Sequence, residues 1–146
     1  MTRPYAWFPF LMVACGMLAL AGCWGSEAPA PPKHDIHIRG LWHVYFEYMS
    51  KGYHAEGTKD AAELKKWAAE NTTPERLKKM AVYDLDAAFT SPRDNLPYVL
   101  RNFKKSEQNG GVVIHETKGL NGKRFVAYGR GGIGELNESE FRAALK

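Results

Sequence analysis

The position of the two cysteines constrains this fold more than any other feature of the sequence. Cys15 lies inside an apolar run from Tyr5 to about Leu20, and Cys23 stands just beyond that run. With Arg3 ahead of the run and Ala21-Gly22 behind it, residues 1–22 read as a cleaved signal peptide. Cys15 would leave with that segment and Cys23 would become the first residue of the mature chain, so no intramolecular disulfide remains to staple the fold. The rest of the chain must be held by its own hydrophobic core, and it is long enough to build one. The competing reading is an uncleaved membrane anchor, since Tyr5 to Trp24 approaches the ~20 apolar residues of a spanning helix. Pro9 and the small residues before Cys23 fit a processed segment better.

Residues 23–35 follow as a tether, rich in Pro and Ala, with Pro29-Ala30-Pro31-Pro32 favouring extended polyproline geometry. From Ile36 to about Lys51, Ile38, Leu41, Trp42, Tyr45, Tyr48 and Met49 recur at three- and four-residue spacing, which predicts an aromatic-rich amphipathic helix. Asp60-Ala61-Ala62-Glu63 reads as a capping box opening a helix to about Glu70, and Thr73-Pro74 opens another to about Val82. The pattern changes after Phe89. Thr90-Ser91-Pro92-Arg93-Asp94-Asn95 is turn chemistry, and strands are expected at Tyr98–Leu100, Val112–Thr117 and Arg124–Tyr128, bounded by Asn109-Gly110-Gly111 and Asn121-Gly122. Asn137 to Glu140 has the spacing of an N-terminal cap for a last helix carrying Phe141, Ala144 and Leu145 on one face. The expected fold is therefore α+β, a single domain over residues 36–146 in which an N-terminal helix and short helices pack on a small antiparallel sheet.

Charge points to no particular partner: 20 Lys and Arg stand against 16 Asp and Glu. The basic pairs Lys65-Lys66, Lys78-Lys79 and Lys104-Lys105 read as solvated helix faces, and no nucleic-acid partner is expected. Gly129 to Gly134 fits GxGxxG, but a strand precedes it and no helix opens directly after it, so a turn is expected rather than a nucleotide cradle. His34, His37, His43 and His54, with Asp35 and Glu56 nearby, are rich enough in imidazole to raise a transition-metal site as an alternative function. No GxSxG elbow and no HExxH motif occur. Ser91 has no identifiable base, and Asp84, Asp86, Glu116 and Glu135 read as scattered surface carboxylates, so no enzyme and no cofactor are expected.

Two family resemblances can be read in the chain. Leu20-Ala21-Gly22-Cys23 resembles the lipobox of bacterial lipoproteins, which implies diacylglyceryl transfer to the Cys23 thiol, cleavage before it, and acylation of the new amine by a chain such as palmitate. Trp24 in place of the Asp that retains lipoproteins at the inner membrane leans the localisation towards the outer membrane, facing the periplasm or outer surface. Phe89 to Leu100, Arg124 to Gly129 and Glu140-Phe141 resemble the periplasmic domains of pilin-like and pseudopilin proteins, particularly small lipoproteins of planctomycete bacteria. That resemblance implies a leading helix packed on a small antiparallel sheet. The chain departs from it in lacking a prepilin-type cleavage sequence and in carrying Gly131-Gly132-Ile133 where relatives have an Asp-Gly turn. The functional expectation is a non-enzymatic, lipid-anchored envelope protein that binds or scaffolds an unknown neighbouring protein. Exposed aromatics of the leading helix, Trp42, Tyr45 and Tyr48, would form the contact surface.

Overall fold

The computed structural model describes residues 35–51, 57–102 and 110–146, all within one compact unit spanning Pro31–Lys146. The signal peptide, Cys23, most of the tether, His34 and His54 lie outside the described residues.

The fold is α+β. Helix α1 (Ile36–Ser50) leads, followed by α2 (Ala61–Asn71), α3 (Pro74–Lys79) and α4 (Leu85–Ala88). Four antiparallel strands come next, β1 (Val99–Leu100), β2 (Val112–His115), β3 (Lys123–Tyr128) and β4 (Ile133–Asn137), in the spatial order β1-β2-β3-β4, and α5 (Glu138–Ala144) closes the chain. The three helix starts predicted from a capping residue are present with that residue as cap, while α1 begins at Ile36 without a side-chain cap. The Asp60 side chain accepts from the Ala62 and Glu63 amides, Thr73 accepts from Arg76 ahead of Pro74 in the first turn, and Asn137 and Glu140 complete a reciprocal capping box. Glu63 does not close the box expected of it. Its carboxylate accepts instead from the hydroxyls of Tyr48 and Thr58, and so ties α2 to α1.

Helix α3 ends at Lys79, short of the predicted Val82, because Ala81 turns into the left-handed region at φ 62° and folds the chain back. The returning segment lies close against α1: a Cβ added at Gly40 would come within 2.9 Å of Val82 Cγ2. Helix α4 and strand β4 were not anticipated.

The sheet is covered on both faces. On one, Ile38, Leu41, Val44, Tyr45 and Tyr48 of α1 join Leu64 and Trp67 of α2 against Val113, Ile114, Phe125 and Ala127. On the other, Phe141 of α5 packs on Val112 and Val126. This double cover explains why β2 is apolar along Val112-Val113-Ile114 rather than alternating: every residue of the strand is buried. At full burial each such side chain contributes roughly 1.5–3 kcal/mol.

Candidate functional site

The densest concentration of chemistry-bearing side chains lies where the turn segment after Phe89 meets the β2–β3 hairpin. The segment folds back on itself, with Tyr98 N–H donating to the Phe89 carbonyl and Ser91 N–H to that of Leu96. This loop straps the hairpin end through its side chains. Ser91 Oγ donates to Glu116 Oε1 at 2.7 Å, and the Phe125 amide donates to Glu116 Oε2 at 2.7 Å. Arg93 lays its guanidinium 4.3 Å from the centre of the Phe125 ring, pairs with Glu135 at 2.9 Å, and stands 3.7 Å from Glu116. Its Nη2 also donates to the carbonyls of Leu120 and Lys123. Asp94 accepts from the amides of Leu96, Lys118 and Gly119. Burial alone would raise the Asp94 ionisation, but those amides and the Ser91 hydroxyl bring the net shift below the ordinary carboxylate value. Gly119 is required there, because its φ is 75° and a Cβ would overlap the Lys123 carbonyl.

The arrangement has the composition of a reaction centre and the accessibility of a core. Ser91 and Glu116 are both 0% exposed, and the Ser91 oxygen is further engaged as acceptor for the Arg93 amide at 3.1 Å. The Tyr98 hydroxyl is buried beside them without a hydrogen-bond partner among the described residues, and burial, then Glu116, push its ionisation well up against the opposing effect of the nearby Ser91 hydroxyl. The buried Ser91 hydroxyl, paired with a carboxylate that accepts two hydrogen bonds, locks the loop onto the hairpin.

The aromatic contact surface expected on α1 needs correction. Tyr45 and Tyr48 are buried, and Trp42 is partly buried, because the stripe packs on the sheet and on α2. Their polar tips are spent inward: Trp42 Nε1 donates to the Tyr128 carbonyl at 2.8 Å, Tyr45 to the Arg101 carbonyl at 2.6 Å, and Tyr48 to Glu63. Of the histidines, His37 and His43 are both on α1 but on different faces. His37 Nδ1 lies 3.1 Å from the Thr90 carbonyl, which ties the helix to the strap, and His43 is exposed. No group of three or more potential metal ligands occurs among the described residues. Asp84 caps α4, Asp86 pairs with Lys65, and the GxGxxG stretch is the β3–β4 turn, with Gly131 and Gly132 at φ 97° and 95°. Strand β4, not a helix, follows it.

What α1 leaves open is its outward face, where His43 and Phe46 border a groove of about 270 Å³ against Arg76, Lys79 and Met80 of the α3 segment. Phe46 is 48% exposed and stacks on Trp42 at 5.3 Å between centroids. Although the residue is exposed overall, partial desolvation of the ring, then the positive charge of Arg39, holds the His43 imidazole below its ordinary value, favouring the neutral ring. Neither groove wall is legible as a site in the sequence, because α1 and α3 are brought together by tertiary contacts, the reversal at Ala81 and the Arg76–Glu47 ion pair, that nothing local encodes. Among the described residues no helix is long and apolar enough to cross a membrane. No family model, no curated protein and no solved structure matches this chain.

Proposed function

We propose that this chain is a lipid-anchored protein of the bacterial cell envelope, held by acyl chains on Cys23, whose α+β domain binds or scaffolds a neighbouring envelope protein without catalysing a reaction. The observation that carries the binding role is the contrast between the two clusters. Ser91, Asp94 and Glu116 engage one another or the backbone, and Arg93 is turned inward onto Glu116, Glu135 and the Phe125 ring, whereas the α1–α3 face presents an exposed aromatic ring and cations to solvent. The anchor rests on Leu20-Ala21-Gly22-Cys23 at the end of the apolar run. A leading helix laid on a four-stranded antiparallel sheet supports a pilin-like plan, and Trp24 supports an outer-membrane address.

Anchoring turns encounter with a neighbour into a local event, at an effective concentration set by the reach of the Pro-rich linker. Mass spectrometry of the protein purified from membranes tests the anchor. The expected product begins at Cys23 and carries a diacylglyceryl group on sulfur and a third acyl chain on the amine. An unmodified thiol at that position, or an intact Met1, overturns the reading.

A further inference from the structure

We propose that the groove between α1 and α3 binds an extended acidic peptide segment that carries apolar side chains between its carboxylates. The inference rests on the binding-module reading and specifies the chemistry of the partner. The one acidic residue among the described residues of the groove, Glu47, is already neutralised: Arg76 Nε approaches its two oxygens at 2.8 and 3.1 Å and Lys51 Nζ stands at 3.2 Å. Arg76 uses only its Nε in that contact, so both of its terminal amino groups are left without a partner among the described residues. Lys79, three residues further along α3, has no acidic partner among them either.

Two cations at this spacing share one helix face about 5–6 Å apart. That approximates the separation of alternate side chains in an extended strand, which rises roughly 3.3 Å per residue. A strand lying in the groove would turn its carboxylates to Arg76 and Lys79 and the intervening residues to Phe46 across from them. The guanidinium fork suits a carboxylate, and the exposed Phe46 ring with Met80 supplies the apolar wall. The site is concave, which admits a chain and not a flat bilayer, and two cations near a lipid surface would hold it by only about 1 kcal/mol each.

The test uses the full-length protein in phosphatidylcholine nanodiscs and a fluorescein-labelled Glu-Leu-Glu-Leu-Glu peptide, followed by anisotropy. Saturable binding is expected, weakened about tenfold by Lys79→Glu, which corresponds to about 1.4 kcal/mol. Phe46→Ala should weaken it several-fold, and Arg76→Lys, which keeps the charge on Glu47 but loses the fork, should also weaken it. Each variant is first checked for an unchanged circular dichroism spectrum. No binding, equal binding of Lys-Leu-Lys-Leu-Lys, or variants that bind like the parent would sink the proposal. So would phosphatidylglycerol in the nanodisc displacing the peptide, since that outcome makes a lipid surface the occupant. If Cys23 proves lipidated while the peptide fails to bind, this inference falls and the anchored-module reading stands.

Discussion

Glu116 shows how far a single residue can depart from what its neighbours in the chain suggest. It follows an apolar strand, next to Thr117, where a carboxylate ordinarily faces water, yet it is fully buried and Ser91 reaches it across 25 positions of sequence. The turn character of residues 90–95 was legible because Ser, Pro, Asp and Asn each favour turns for local reasons. Their partners on the β2–β3 hairpin were not legible, because nothing local encodes a contact made by tertiary folding. Replacing Glu116 by Gln tests how the network is held. The amide can accept from only one of the two donors, leaving either the Ser91 hydroxyl or the Phe125 amide facing an NH2 group. Arg93 is not stranded by the change, since Glu135 remains 2.9 Å away, so the loss comes from the orphaned donor and not from an unpaired charge. We expect destabilisation of about 2 kcal/mol for Glu116→Gln and about 1–2 kcal/mol for Ser91→Ala. Urea unfolding followed by tryptophan fluorescence measures both, and a Glu116→Gln protein as stable as its parent would refute the lock.

Elements were recovered where sequence marks their ends. Asp60, Thr73 and Asn137 cap as their spacing predicted, and the α1 stripe packs at the periodicity read from it. Periodicity identifies a face but not what covers it, which is why Trp42, Tyr45 and Tyr48 were expected to meet a partner and instead meet the sheet and α2. Strand β4 escaped notice because Ile133-Gly134-Glu135-Leu136 mixes a glycine and an acid, and its pairing with β3 rather than β-propensity makes it a strand.

Helix α5, which covers the second face of the sheet, makes that face sensitive to pH. His115 lies in edge contact with the Phe141 ring, 4.8 Å between centroids. Burial is the main reason its ionisation lies below the ordinary 6.5; its hydrogen bond to the Glu116 carbonyl opposes this, and Arg124 and Arg101 add to the depression. Its neutral form therefore favours the folded state. The stabilisation is complete above about pH 6.5, and it is lost as acidification protonates the unfolded chain first and then carries the pH down through the depressed folded value. Thermal unfolding across pH 7.5 to about 5 should show a falling melting temperature, with the change limited to about 1.4 kcal/mol per pH unit for one proton. His115→Phe should flatten that slope even if it alters absolute stability. His43 titrates with the same sign, so a slope that His115→Phe leaves unchanged would reassign the effect to α1.

At the scale of the whole molecule, the proposed function depends on whether the domain is confined to a membrane. One acyl chain gives marginal, reversible attachment, with an association constant of about 10⁴ M⁻¹, whereas two or more chains hold stably. The lipobox resemblance implies three, so the protein should resist extraction by salt and alkali and partition with detergent. Cys23→Ala removes the acceptor sulfur and with it the signal for this cleavage, leaving either an unprocessed chain held by its apolar run or, after cleavage elsewhere, a soluble domain. The two outcomes differ by the mass of the segment removed, which an intact-mass measurement resolves. In either form the folded domain itself should be unaltered, because the core among the described residues runs from Ile38 onward and residues 36–146 contain no cysteine. Cross-linking in intact envelopes then separates anchoring from recognition. With wild type, a reproducible set of neighbours is expected. With a released Cys23→Ala domain the same contacts should fade, because the groove chemistry is unchanged while the local concentration that the tether provides is gone. A released variant that cross-links to the same neighbours with equal yield would show that recognition needs no anchor, and would move the whole weight of the function onto the α1–α3 face.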